Sequence, residues 1–176
     1  MKTAHFLALA LLTLSCQTKP KQETTDKPAT EQTAAPADLT KRPPNDAPRS
    51  AADRLVRALY FEHDANENPF LETKDPLLAE QYFTKPLAAK LTKNASKAAA
   101  NRRKINPLFN VPDSAIEKRW VLPAVIAGEK AVVFVTYQTN GKEQEMRCEM
   151  EQQANGRWRI ADIMYADGKR LAELVN

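Results

Sequence analysis

Five oxygen-bearing side chains recur through the twelve residues DANENPFLETKD, which is the ligand chemistry that a calcium ion requires. They occupy positions 1, 3, 5, 9 and 12 of that segment, namely Asp64, Asn66, Asn68, Glu72 and Asp75. Calcium loops use these positions, but they need glycine at position six and a bidentate glutamate at position twelve. This chain has Pro69 and Asp75 there. The segment is therefore either a weak calcium site or a solvated loop whose Asp75 caps the next helix.

A basic run from Lys85 to Lys104 holds seven lysines and arginines and no acid. On a helix, its lysines fall on one side and its leucines on another. The candidate partner-binding lysines are Lys90, Lys93, Lys97 and Lys104. They would suit lipid phosphates or an acidic protein, or else form an ordinary solvated face. No aromatic residues interleave with these bases, so we expect no nucleic acid partner.

Other reactive residues are scarce. The chain has two histidines, His5 and His63, which excludes a multi-histidine zinc site in the folded domain. Its second cysteine, Cys148, stands between Met146 and Met150 on an apolar strand face and is expected in the core. All four glycines stand in turns, so no phosphate-cradling loop is expected. The sequence therefore predicts no cofactor and no established metal site.

Helical periodicity dominates the first half of the folded region. The segment AADRLVRALYFEH predicts a helix from Ala51 to His63, with Ser50 as its N-cap and Asp53 completing a capping pattern. The segments DPLLAEQYF and TKPLAAKLTKNASKAAANRRK predict two more helices. Each begins with a capping residue, Asp75 or Thr84, and has a proline in the first helical turn. We therefore expect a helical layer before any strands.

From Arg119 onward the apolar period changes to two, which predicts a four-stranded antiparallel meander. A two-residue turn at Asn140-Gly141 places Val135 opposite Met146 and Val133 opposite Cys148. Pro123 argues for an edge or bulged position in the first strand. The predicted class is α+β, with the N-terminal helices packed on the curved meander and a short C-terminal helix.

A candidate pocket inside this fold involves Asp162, Trp158 and Tyr137. A three-residue loop ending at Gly156 places Ile160 opposite Met150 and turns Asp162 toward the apolar face, unless a bulge turns Ile163 inward instead. In the first case Asp162 could serve as a general acid or base in a small enzyme. In the second case that hypothesis fails.

The N-terminus resembles that of bacterial lipoproteins. LLTLSC ends a short apolar stretch at Cys16, as the lipobox does, although Thr13 stands where an aliphatic residue is usual. The resemblance implies a signal peptide over residues 1–15, a lipidated Cys16 and an envelope location. Gln17 after the cysteine favours the outer membrane, facing the periplasm. Residues 16–50 have too few apolar side chains to form a core and are expected to be a disordered tether.

Residues 51–176 are expected to form a single domain, and three of their segments resemble a known family. They are INPLFNVPDSAIEKRW, GEKAVVFVTY and NGRWRIADIMYADGKRLAEL. They look like the domain of unknown function 3828, found in bacterial envelope proteins. The resemblance implies a cone related to nuclear transport factor two and cystatin-like domains, and brings no established activity.

Together these features predict a membrane-anchored, non-catalytic module that binds a small ligand or an envelope protein. An immunity protein that neutralises a periplasmic toxin is the first alternative. A small enzyme using Asp162 is the second.

Overall fold

The structure is a computed structural model that describes residues 37–61, 76–93 and 105–175. All of these belong to one compact unit, Ala34–Asn176. The predicted signal peptide, Cys16, most of the predicted tether, Lys97, Lys104 and the five calcium candidates lie outside the described residues.

The helical layer forms where the periodicity predicts it. Helix α1 spans Ala51–Phe61, α2 spans Pro76–Tyr82 and α3 spans Lys85–Lys93. The capping pattern at α1 is present, because Oδ1 of Asp53 accepts hydrogen bonds from the Ser50 nitrogen at 2.6 Å and from its hydroxyl at 2.7 Å. These contacts satisfy groups at the helix N-terminus that the helix itself leaves unpaired.

The second half is an antiparallel meander followed by a short helix, which confirms the α+β class. A 3₁₀ turn, Asp113–Ala115, precedes the strands. The strands β1 (Glu117–Ala127), β2 (Lys130–Thr139), β3 (Lys142–Gln152) and β4 (Trp158–Met164) pair in chain order. Helix α4 spans Leu171–Leu174.

The register between β2 and β3 agrees with the turn chemistry. Val135 pairs with Met146 and Val133 with Cys148. Asn140 and Gly141 both have positive φ, at 52° and 73°, as a type I′ turn requires. Turn chemistry and the two-residue alternation together fix which side chains face the helices.

Three register shifts shape the outer strands, two in the pairing of β1 with β2 and one in the pairing of β3 with β4. Strand β1 lies at the sheet edge, and its register shifts between Val121 and Ala124, which brackets Pro123. In β4 the register shifts so that Ile163 pairs with Cys148 and Asp162 pairs with Glu149. The bulge alternative is therefore the one observed, and Asp162 lies on the face of the sheet opposite to the core.

The main core lies between the helices and one face of the sheet, which we call the inner face. Helix α1 packs across β1, β2 and β4. Its buried side chains meet the inner face, where Val133, Val135 and Cys148 are fully buried. The hydroxyl of Tyr60 reaches through this core to the Leu108 carbonyl at 3.0 Å.

The outer face carries a second, smaller apolar cluster of Leu122, Val132 and Phe134, against which Leu39 packs. The segment 37–50 thus contacts the sheet, although its composition assigned it to the tether. Nη1 of Arg42 lies 3.5 Å from Oε1 of Glu143 and 3.8 Å from Oε2 of Glu145. Nη1 of Arg49 donates a hydrogen bond to the Val121 carbonyl at 2.9 Å. We call residues 37–50 the strap, and it packs on the folded domain.

Candidate functional site

A half-open cleft of about 400 Å³ lies beside the turn end of the β2–β3 hairpin. The loop 105–111 and the turn after β4 form its other walls. We call it the hairpin cleft. Its lining residues are Phe109, Asn110, Val111, Tyr137, Thr139, Asn140, Lys142, Gln144, Tyr165, Ala166 and Asp167. Its volume falls at the small end of the range that is usual for ligand pockets.

The hairpin wall continues the inner face of the sheet. Tyr137 pairs with Gln144, and Thr139 pairs with Lys142, so these four side chains follow the apolar pairs of the core at the same two-residue spacing. The inner face therefore changes from apolar to polar between the pair Val135–Met146 and the pair Tyr137–Gln144. That change is what makes the cleft amphipathic.

Buried aromatic rings form the apolar wall of the cleft. Phe109 packs edge-on against Tyr137, with ring centroids 4.9 Å apart, and against Tyr60 at 5.2 Å. Tyr165 donates to the Pro107 carbonyl at 2.6 Å, and so holds the loop from the opposite side. The loop is thus held at two carbonyls by two tyrosine hydroxyls.

The Tyr137 hydroxyl is the polar group that stands out in this wall. The side chain is 2% exposed and lines the cleft, yet its hydroxyl has no hydrogen-bond partner among the described residues. Burial, and secondly the negative charge of Asp167, raise the pKa of Tyr137. The hydroxyl is therefore neutral at physiological pH and able to donate to a ligand.

A second unpaired hydroxyl and a lysine accompany it. The hydroxyl of Thr139 is buried and makes no hydrogen bond within the described part of the chain. Buried hydroxyls normally have a partner, so the unpaired hydroxyl of Thr139, two residues beyond Tyr137 on the same strand, marks this end of the hairpin as unusual. Lys142, across the turn from Thr139, is exposed at the rim and forms no ion pair with a described residue.

Asp167 is the acid at the rim, and its charge is already satisfied. Its Oδ2 accepts from the Lys169 ammonium at 2.8 Å and from the Asn110 amide at 3.2 Å. The hydrogen bond from Lys169 is the largest cause that lowers the pKa of Asp167. It is thus ionised at neutral pH, and its two oxygens are not free for proton transfer.

The structure separates the three residues of the sequence-predicted pocket. Tyr137 lines the hairpin cleft, but Trp158 and Asp162 do not. Trp158 is buried in the core, opposite Gln152. Asp162 accepts from Arg170 at 2.7 Å and from the Ala172 nitrogen at 3.0 Å, so it holds the start of α4 against β4.

The other candidates are placed as follows. Lys90 and Lys93 are exposed in the last turn of α3. Cys148 is fully buried, and burial raises the pKa of its thiol to about 12, which keeps it protonated and unreactive. Within the described residues, no three acidic, histidine or cysteine side chains are grouped as metal ligands. No helix of the described ranges has the length and apolar character needed to cross a membrane.

Sequence reasoning missed most of the hairpin cleft. Of its lining residues, only Tyr137 was a candidate. The available signal was the polar continuation of the inner face through Thr139, Lys142 and Gln144, at positions that the derived register already assigned to that face. The contribution of the 105–111 loop had no such signal, because only long-range contacts bring it there.

Comparisons with known proteins give one distant structural neighbour. No protein-family model matches the chain, and no curated protein matches it. Among solved structures it is similar to a phospholipid-binding protein from Ralstonia solanacearum, solved in complex with a phospholipid, at 18% identity and a TM-score of 0.31. The match covers 73% of this chain and 60% of that one.

Proposed function

We propose that this chain is a bacterial envelope lipoprotein whose folded domain binds a small ligand in the hairpin cleft and carries out no chemistry on it. The observation that carries the binding proposal is the Tyr137 hydroxyl, which is held in a buried aromatic wall and has no partner within the described residues. An apolar wall with a few convergent polar groups is the usual composition of a ligand site.

The groups in the cleft suit binding better than catalysis. Its lining contains neither cysteine nor histidine, and its acid, Asp167, is ionised and paired with Lys169. A general acid or base works best with a pKa near the operating pH. The lowered pKa of Asp167 moves it away from that range.

The sequence supports the anchor. The stretch LLTLSC places Cys16 at the end of a short apolar run, and a polar segment without a core follows it. We propose the periplasmic side of the outer membrane, on the basis of Gln17.

The binding proposal is tested by isolating what the cleft holds. The full chain is purified from its native membranes, small molecules are extracted and identified by mass spectrometry, and their affinity is measured by calorimetry. Tyr137→Phe removes one hydroxyl and should lower the affinity about five- to tenfold, as the loss of one hydrogen bond does. Tyr82→Phe is the matched control, since it removes a tyrosine hydroxyl outside the cleft. If both variants bind as tightly as the native chain, the cleft is not the site.

The anchor proposal has a separate test. Thiols are counted in denaturant on the mature chain, which has two cysteines in its sequence. A lipidated chain should give one free thiol, Cys148, because the sulfur of Cys16 is used in the thioether. Two free thiols, together with a mass that lacks acyl chains, would overturn the anchor and leave the binding proposal intact.

A further inference from the structure

Two exposed aromatic side chains and two arginines form a compact patch between the end of α1 and the first residues of β1. Phe61 is 43% exposed and Trp120 is 51% exposed. The guanidinium carbon of Arg57 lies 5.4 Å from the Phe61 ring centroid and 6.0 Å from that of Trp120. The guanidinium carbon of Arg119 lies 5.5 Å from Phe61. We call these four residues the aromatic–arginine patch.

Local backbone geometry builds this patch. The β1–β2 register shifts between Glu117 and Trp120, and Lys118 within that interval has a positive φ of 45°. Such bulges re-aim side chains at sheet edges. Here Arg119 reaches over α1 and donates from Nη1 to the Tyr60 carbonyl at 3.2 Å. Lys118, a non-glycine residue in the left-handed region, thus helps to place Arg119 beside the exposed ring of Phe61.

The positive charge of the patch is not neutralised within the described residues. Neither Arg57 nor Arg119 forms an ion pair there, whereas Arg42, Arg49 and Arg170 each contact at least one carboxylate. The patch therefore combines two exposed aromatic rings with two guanidinium groups that no described carboxylate neutralises. Guanidinium groups bind phosphate with two parallel hydrogen bonds, and a tryptophan ring is suited to the boundary between headgroups and acyl chains.

We propose that the aromatic–arginine patch docks the domain on the anionic phospholipid headgroups of the bilayer. The choice of a bilayer over a protein partner follows from size and charge. Stable protein interfaces use about 20 to 30 residues a side, whereas four residues that combine cations with interfacial aromatics match a membrane surface. The bilayer is within reach because of the proposed anchor at Cys16, so this inference rests on the anchor part of the proposed function but not on the hairpin cleft.

The fluorescence of Trp120 reports whether the patch is docked on the bilayer. The chain has two tryptophans, and the other, Trp158, is only 8% exposed, so a change of solvent reaches Trp120 first. The full chain is reconstituted into vesicles of phosphatidylcholine alone and into vesicles that also contain phosphatidylglycerol. We expect the tryptophan emission to move to shorter wavelength, and aqueous quencher to lose access, only in the anionic vesicles. Raising the salt concentration should reverse both changes.

Variants assign the effect to the patch. Arg57→Gln with Arg119→Gln should lower the ratio of docked to undocked domains about 25-fold, since each surface arginine contributes about fivefold on an anionic membrane. Arg57→Gln alone should lower it about fivefold and leaves the Arg119 backbone contact in place. The matched control is Lys130→Gln with Arg157→Gln, which removes the same charge from the turns at the far end of the sheet and should change nothing. Thermal unfolding verifies that each variant is folded.

Three results would overturn the docking proposal. The first is equal tryptophan emission in neutral and anionic vesicles, and the second is an equal loss of docking in the control variant. The third is a blue shift in detergent that grows with protein concentration, which would show that the patch binds a second copy of the chain. Flotation with the neutral vesicles tests the anchor independently, so failure of the anchor and failure of the patch are distinguishable.

Discussion

The Oδ2 atom of Asp162 lies 2.7 Å from Nε of Arg170, across the turn that joins β4 to α4. The same arginine also contacts the carboxylate of Glu149, the strand neighbour of Asp162. The other oxygen of Asp162 accepts from the Ala172 nitrogen. The acid that the sequence offered as a possible catalyst thus attaches the C-terminal helix to the sheet.

Replacing Asp162 with asparagine should therefore affect stability and not ligand binding. The loss of one charge-assisted hydrogen bond to a partly exposed arginine should lower the free energy of unfolding by about 1 to 2 kcal/mol. Urea unfolding at pH 7 measures this, with Glu149→Gln as a control that should cost less, because Glu149 is more exposed. If Asp162→Asn kept its stability but lost ligand binding, Asp162 would have to be assigned to the ligand site.

Asp53 should be the most sensitive acid of the described fold. It is fully buried, and its Oδ1 accepts from Ser50 and lies 3.4 Å from the Ala124 nitrogen at the Pro123 bulge. Asp53→Ala should cost about 3 kcal/mol, because it removes a helix cap and leaves buried N–H groups without an acceptor. Ser50→Ala should cost only about 1 kcal/mol. Similar losses for the two variants in urea unfolding would show that the contact with β1 contributes nothing.

The strap should contribute measurably to stability. Leu39 packs on Leu122, Val132 and Phe134, and it is only partly exposed. Leu39→Ala should lower the free energy of unfolding by about 1 to 2 kcal/mol, which is less than for a fully buried leucine. Leu174→Ala, at a residue 48% exposed, is the control and should cost less than about 0.5 kcal/mol. An unchanged urea midpoint for Leu39→Ala would show that the strap contributes nothing to the stability of the domain.

Cys148 should make the fold sensitive to high pH. Burial raises the pKa of its thiol from the ordinary value of 9.0 to about 12, so the thiol ionises in the unfolded chain before it does in the folded one. Its contribution to stability is complete below pH 9 and is lost as the pH rises toward about 12, with a slope of about 1.4 kcal/mol per pH unit for one proton. Unfolding measured from pH 7 to 10.5 should show this slope reduced in Cys148→Ala. An identical slope in both chains would assign the effect to other groups, such as Tyr60.

Much of the sheet could be derived from turn chemistry. Asn140-Gly141 selects a two-residue hairpin, and that choice alone fixes the pairing of Val133 with Cys148. The three-residue loop at Gly156 likewise sets Ile160 opposite Met150, as observed. These predictions succeeded because register is determined locally, by the turn and by the need to bury one face.

The local sequence does not decide between the two registers of β4, because the causes of its bulge are not local. Turning Ile163 inward fills the core beside Cys148, and turning Asp162 outward gives its carboxylate Arg170 and the start of α4. Burying an apolar side chain and pairing a charge favour the same shift. The sequence predicts a short C-terminal helix, but the strand pattern does not show that this helix and Arg170 lie beside Asp162.

By itself, the sequence determined the class of fold, the order of its elements, the register of the central hairpin and the core position of Cys148, because periodicity and turn residues act over a few positions. Only the tertiary structure decided that the strap belongs to the folded part, that Asp162 faces away from the core, and that Tyr137, Asp167 and the 105–111 loop enclose one cleft. It also decided that Phe61 and Trp120 share Arg57 and that Arg119 joins them at the Phe61 ring. Each of these depends on groups far apart in the chain, whose proximity follows from the packing of the whole domain and from no local pattern.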